Sequence, residues 1–247
     1  MDKLTADRPP VITTEIDGIS FYRKMDTRAA VESMIDGKYV IAEEFFSNGM
    51  QVLSELKRVL KQNNSGNDFQ SQREYRRKFR KISHRLLLRV EDNKLSTRKS
   101  PEIGWLKRLY PEISDFYISF PHVQGLNSSW QWYIKGININ ILNITIHPYY
   151  GTYFPTRFDH LELFDQWLDR YEGPKKNAMD IGIGSGVLSF QLIRKGFQKV
   201  FGVDSNINAI IGLNEERERL GYEKKLELTH GDLFSRYDFK SELIVFN

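Results

Sequence analysis

The sequence predicts an α/β protein whose C-terminal part is built on a parallel sheet, preceded by a part of mixed α+β character. Three observations carry that expectation. From residue 177 onward, short apolar runs at 178–183, 199–203, 226–229 and 243–246 alternate with helical periodicity at 187–195 and 206–220. Alternating βαβ units with nearly continuous apolar strands imply a parallel sheet with helices on both faces. The first run ends in an acid, Asp180, and then breaks into three alternate glycines, Gly182, Gly184 and Gly186, ahead of helix-compatible sequence. Glycine bends the backbone where other residues are strained and leaves no Cβ between main chain and ligand, so this stretch reads as strand, nucleotide-binding loop and helix start. Before about residue 150, by contrast, strand and helix patterns follow no regular alternation.

At 247 residues the chain is one large domain or two smaller ones, and the expected division is 1–150 and 151–247. With 40% hydrophobic and 28% charged residues the composition is that of a folded, soluble protein. There is no cysteine, which excludes disulfides, thiol nucleophiles and cysteine-ligated zinc and fits a reducing compartment. No apolar leader is visible and no run is long enough to span a bilayer, so the expected location is the cytoplasm, with no membrane association. A net charge of +4 permits a polyanionic partner without requiring one, and the clustering of charge matters more than its sum.

Taken in order, Val11–Ile16 and Ile19–Tyr22 are β-rich runs joined by Asp17-Gly18, the dipeptide suited to a two-residue hairpin turn. Between Asp26 and about Lys61 apolar residues recur at helical spacing, with Gly37 and Ser47-Asn48-Gly49 as interruptions, which predicts two or three helices. A polar loop follows at 62–68. From Arg73 to Val90, eight basic residues face the single acid Glu74, while Tyr75, Phe79, Ile82, Leu86 and Val90 keep an apolar stripe. This predicts a basic amphipathic helix over 73–90, either a solvated outer face or a contact for RNA phosphates or an acidic protein surface. His84 lies in it without a second histidine at ligand spacing, and no metal site is expected. A short helix is predicted within Pro101–Pro111, then strands at Phe116–Phe120, Trp130–Ile134 and Ile137–Ile141. The isoleucines then change phase to Ile144 and Ile146, which predicts a bulge near Leu142-Asn143. His147–Thr156 is an aromatic, glycine-punctuated segment expected to be ordered. Thr156-x-x-Asp159 has the form of a capping box, and the stripe Phe158, Leu161, Phe164, Leu168 and Tyr171 predicts a helix from Arg157 to about Tyr171.

The sequence Asp180-x-Gly182-x-Gly184-x-Gly186 resembles the first motif of the class I S-adenosylmethionine-dependent methyltransferases, and the residues downstream of it keep the order of that family. The nicotinamide-dehydrogenase fingerprint G-x-G-x-x-G would place glycine at 187, where Val187 stands. The resemblance implies a Rossmann-like sheet of order 3-2-1-4 over the four strands countable here, with S-adenosyl-L-methionine as cofactor. It implies that Asp180 meets the ammonium group of the methionine moiety or braces the glycine loop. Asp204 would take the ribose hydroxyls, Asp232 and Leu233 the adenine, and Thr156 the methionine end. Ser241–Asn247 resembles the fourth strand of the amino-methylating branch, in which that strand runs directly into an [ND]-P-P-[YFW] tetrapeptide. Asn247 is then the candidate catalytic residue, positioning a planar nitrogen toward the sulfonium methyl. The branch includes enzymes that methylate protein glutamine and, more loosely, ribosomal protein or RNA bases, so a macromolecular substrate is implied, protein before RNA. A complete domain of this family has more strands than are countable here, so the sequence is expected to continue with Pro-Pro and an aromatic residue, and the chain as it stands to turn over slowly or not at all. Two other readings stay open at this point: a noncatalytic Rossmann-like nucleotide- or RNA-binding module, and an NAD-dependent oxidoreductase. Oligomeric state is not legible.

Overall fold

The computed structural model describes residues 4–62, 66, 68–234 and 240–246. Two compact units pack separately: residues 8–128, and residues 129–247 together with the first seven residues. The sequence-based division at 150 separates the chain by pattern, whereas the compact units part between Ser128 and Ser129.

Residues 8–128 hold a mixed sheet with the spatial order β1 (Val11–Ile12), β6 (Phe116–Ser119), β4 (Leu86–Glu91), β3 (Tyr39–Ala42) and β2 (Gly18–Phe21), with β5 (Lys94–Leu95) pairing β4. Its helices are α1 (Thr27–Ile35), α2 (Phe46–Gln62), α3 (Phe69–Ser83) and α4 (Trp105–Leu109). The expected N-terminal hairpin does not form. Val11 and Ile12 pair antiparallel with Ile118 and Tyr117, while β2 runs parallel to β3, so Asp17-Gly18 joins two strands that never meet. The region from Asp26 to Lys61 contains two helices separated by a strand, β3, whose Val40, Ile41 and Ala42 are buried. The basic helix ends at Ser83, with His84 as its C-cap, instead of at Val90. Leu86, Leu87 and Leu88 are consecutive and all buried, which a helix face does not permit and a central strand does. The short helix around Trp105, Leu106 and Leu109 is present, with all three buried.

A long helix, α5 (Phe120–Lys135), replaces the strand expected at Trp130–Ile134. The alternation of Trp130, Trp132 and Ile134 is coincidental, because Trp132 and Ile134 are 43% and 51% exposed. Next, β7 (Ile137–Ile139) and β8 (Ile144–Ile146) form an antiparallel pair, closed by a 3-10 turn at Asn140–Leu142 and by Asn143 at φ 50°. The phase change of the isoleucines thus marks a chain reversal, not a bulge. Asparagine tolerates the left-handed region better than most residues.

The remaining elements are α6 (Asp159–Asp169), β9 (Asn177–Ile181), α7 (Val187–Arg194), β10 (Lys199–Asp204), α8 (Ile207–Arg219), β11 (Leu226–His230) and β12 (Leu243–Phe246). Helix α6 begins without a side-chain cap at Phe158, so the capping box at Thr156 and Asp159 does not form. The four strands are parallel in the order β11-β10-β9-β12, which is the expected 3-2-1-4. Ala178, Val200, Leu226 and Val245 belong to one core with Leu161 of α6, Phe190 of α7 and Leu213 of α8. Among the described residues the opposite face buries Met179, Ile181 and Val203 as a small cluster, and on β12 Ile244 and Phe246 are 50% and 73% exposed. Apolar strands predicted helices over both faces; among the described residues α6, α7 and α8 all contribute to the core of one face. That follows from handedness, since the right-handed crossovers β9-α7-β10 and β10-α8-β11 step in the same direction. No helix among the described residues is long and apolar enough to cross a membrane.

Candidate cofactor site

At the carboxyl end of β9, Gly182, Gly184 and Gly186 all adopt positive φ, at 71°, 52° and 78°. They differ in surroundings. A Cβ on Gly182 would meet nothing within 4 Å, and the residue is exposed. A Cβ on Gly184 would lie 3.2 Å from the carbonyl oxygen of Tyr153, and one on Gly186 would lie 2.5 Å from Leu213 Cδ2. Gly182 therefore presents bare backbone outward, whereas Gly186 lets α7 approach α8 closely.

Four of the loop's N–H groups are engaged inside the protein. Gly182 and Ile183 N–H both donate to the Val203 carbonyl, at 2.8 and 3.0 Å, and Gly186 N–H donates to the Ile183 carbonyl. Gly184 N–H donates to Asp204 Oδ2 at 2.8 Å. A loop built to hold a pyrophosphate keeps such N–H groups turned toward the ligand. Here they hold the loop onto β10, which suits a ligand recognised by shape and by carboxylates.

Asp180 lies in β9 and is 2% exposed. Its Oδ2 accepts the Ser189 hydroxyl at 2.7 Å, and its carboxylate also accepts the backbone N–H of Ser189, in the first turn of α7. The acid thus caps that helix from a neighbouring strand, in place of the side-chain bond that its N-cap glycine lacks. Burial drives its pKa up to about 6 against the opposing pull of the Ser189 bonds, with the nearby Asp204 adding to the rise.

Asp204 ends β10. Besides Gly184, it accepts the Asn206 N–H on Oδ1 at 2.8 Å. A carboxylate offers about four acceptor positions, so lone pairs remain for further donors such as a ribose diol. Asn206 caps α8 through its side-chain oxygen, and its Nδ2 donates to the Gly151 carbonyl at 2.8 Å, tying the 147–156 segment to the strand ends. At the end of β11, Asp232 is exposed at its rim, and Leu233 is 52% exposed with φ 45°. Thr156 is exposed in the segment before α6. Asn247 lies outside the described residues.

Asp180, the glycine loop, Asp204, Asp232 and Leu233 therefore sit on β9, β10 and β11 or at their carboxyl ends, beside the first strand, where crossovers to either side leave a crevice in open α/β sheets. Sequence reading did not single out Ser189, Asn206 or Tyr153. Asn206 was legible as a cap directly before an apolar helical run; the Ser189 bond to Asp180 and the Tyr153 carbonyl emerge only once the elements are packed. Among the described residues no group of three or more His, Asp or Glu side chains is placed to hold a metal ion.

Residues 159–247 match the family of ribosomal protein L11 methyltransferase (PrmA). The match covers the glycine loop and Asp204, and agrees with the class I S-adenosylmethionine-dependent methyltransferase resemblance carried by the motif. A ribosomal protein L11 methyltransferase of Thermosipho africanus is 35% identical over 89 residues, 36% of this chain and 34% of the relative. The Escherichia coli enzyme of the same name is 33% identical over 90 residues, 36% of this chain and 30% of the relative. The chain thus spans about a third of the length of the curated relatives it matches. Among solved structures, the Thermus thermophilus 16S rRNA N2 G1207 methyltransferase, in complex with AdoMet and guanosine, aligns at a TM-score of 0.40 and 20% identity over 66% of this chain and 46% of the other. A ribosomal protein L11 methylase from Lactobacillus delbrueckii aligns at a TM-score of 0.34 and 21% identity, covering 38% and 48%.

Proposed function

We propose that residues 151–247 form the cofactor-binding part of an S-adenosylmethionine-dependent methyltransferase that acts on a nitrogen of a macromolecular substrate, protein in preference to RNA, in the cytoplasm, and that residues 1–150 present that substrate. One observation carries the reading: three alternate positive-φ glycines at a parallel strand end, the middle one bonded through its N–H to the Asp204 carboxylate of the adjacent strand. In this reading the exposed backbone at Gly182 lies against the cofactor, with Gly184 and Gly186 shaping the turn. Asp204 accepts from the ribose hydroxyls with its remaining lone pairs, and Asp232 and Leu233 flank the adenine. Asp180 holds α7 in place from beneath, and Thr156 contacts the methionine end. Asn247 orients the acceptor nitrogen, a role that rests on motif resemblance alone. The cofactor supplies a methyl group on a sulfonium that leaves readily, so the protein's contribution is positional.

Isothermal titration of the chain with S-adenosylmethionine and with NAD tests the cofactor. Binding of the former, weakened about tenfold or more by Asp204→Ala through loss of a charge-assisted pair of hydrogen bonds, supports the reading. Binding of NAD alone overturns it. The acceptor is sought by mass spectrometry of extract incubated with the protein and a deuterated methyl donor.

A further inference from the structure

On the unit formed by residues 8–128, helix α3 carries six basic residues, Arg73, Arg76, Arg77, Lys78, Arg80 and Lys81, against one acid, Glu74. Among the described residues no ion pair engages any of the six. Phe69, Arg73, Arg77, Arg80 and His84 are spaced at four, four, three and four residues, which aligns them on one helix face. At 1.5 Å per residue the stretch from Arg73 to His84 is about 16 Å long. Four residues before Arg73, the same face carries an exposed aromatic ring, since Phe69 is 80% exposed.

The same face ends in a groove of about 510 Å³ lined by Arg80, His84, Ser119, His122, Tyr39 and Tyr117 together with apolar residues. Its centre is pre-organised. The buried Ser119 hydroxyl lies 2.9 Å from Nδ1 of His84 and 2.9 Å from Nδ1 of His122, and the two rings are 4.4 Å apart. One hydroxyl hydrogen serves one imidazole, so the other ring must donate its own Nδ1–H to the serine oxygen. Both histidines are thereby held in fixed orientation. His122 stands in the first turn of α5, a helix of 16 residues whose N-terminal N–H groups favour negative charge. The titratable and charged groups facing the pair from α3, β3 and β6 are Arg80, Tyr39 and Tyr117, and no carboxylate lines the groove. An arginine, two imidazoles, hydroxyls and a helix N-terminus without any acid form the donor set of an oxyanion site.

We propose that this groove takes a phosphate group of RNA, with the Arg73-Arg77-Arg80 face as the track for the neighbouring phosphates and Phe69 as a stacking platform for a base. The row of unpaired cations continuing from an acid-free groove, with an exposed aromatic at its far end, is the combination by which single-stranded nucleic acid is held. This binding site lies in the other unit from the cofactor site and does not depend on the methyl-transfer reading. In the unliganded protein, burial and then the charges of His84 and Arg80 hold the His122 pKa down to about 4, and burial and Arg80 lower that of His84. A bound phosphate reverses the sign of the local field, so proton uptake accompanies binding and affinity rises as the pH falls below neutrality.

The test is fluorescence anisotropy of a labelled oligouridylate with the full chain across a salt series and at several pH values. The expected result is salt-sensitive binding, weakened about tenfold or more by the exposed double substitution R73E/R77E, with a visibly shallower salt slope. H122Q and S119A are expected to abolish the gain at low pH while leaving most of the salt dependence, and inorganic phosphate is expected to shift the His84 and His122 ring resonances in the wild type. Circular dichroism confirms that each variant is folded, and R80Q serves as a second probe should S119A fail to fold. No RNA binding, binding untouched by R73E/R77E, or a phosphoserine or polyglutamate peptide that binds where RNA does not would each overturn the proposal.

Discussion

Asp180 is a buried acid whose proton affinity the fold raises. Its folded pKa of about 6 lies above the usual carboxylate value of 3.8, so the folded state holds the proton more tightly than the unfolded chain does. The contribution to stability is fully present below the unfolded pKa and is lost as pH rises through the folded one. A difference of this size corresponds to about 3 kcal/mol, spent between roughly pH 4 and 6. Asp180→Asn retains an acceptor for Ser189 and removes the ionisation. Its melting temperature is expected to change less than that of the wild type across this window, which a pH series of thermal melts measures. At Gly186 the expected effect is steric: alanine meets both φ 78° and Leu213 Cδ2 at 2.5 Å. Gly186→Ala is expected to destabilise by about 1–3 kcal/mol, read from denaturant midpoints at unchanged m-value. The alternate glycines were legible as a loop, and the motif also led to Asp204 at the second strand. Which glycine faces outward and which is a packing contact was not, because that depends on side chains and backbone from residues 153 and 213, supplied by other elements.

At the scale of elements, β12 is joined to β9 by more than its ladder. Glu242 Oε2 accepts the N–H groups of Lys176 and Asn177, at 2.6 and 3.0 Å, and Glu242 N–H donates back to Asn177 Oδ1 at 3.0 Å. Glu242→Ala removes the one carboxylate oxygen that accepts two backbone N–H groups, at an expected cost of about 1–3 kcal/mol. The loss should appear as reduced hydrogen-exchange protection in β12, with β10 and β11 retaining theirs. Elements drawn by strict βαβ alternation were read correctly, since each run is bounded by a glycine or an acid at a strand end. Those misread are elements in which local pattern and long-range pairing disagree. Asp17-Gly18 favours a hairpin, but β2 runs parallel to β3 and β1 pairs with Tyr117 and Ile118, far along the chain. The helical stripe through Leu86 and Val90 is equally consistent with a central strand, and the buried Leu86-Leu87-Leu88 run shows that it is one.

For the whole molecule, two units with their own packing imply that damage at the cofactor loop stays local. Gly184→Val places a β-branched side chain at φ 52°, 3.2 Å from the Tyr153 carbonyl. S-adenosylmethionine binding is expected to fall below detection in calorimetry while hydrogen exchange within residues 8–128 is unchanged. Unchanged affinity would remove the loop from the proposed site.

From the sequence alone came the parallel sheet and the acids and glycines at its carboxyl ends, because nearly continuous apolar runs, a helical period and conformationally permissive glycines are local properties of the chain, and the strand order followed from the family that the glycine motif resembles. Only the tertiary structure decided the topology of the N-terminal sheet, the capping of α7 by Asp180, and the meeting of His84, Ser119 and His122 around one hydroxyl. Each of these joins residues from separate elements, and no local preference records which of many compatible partners packing will choose.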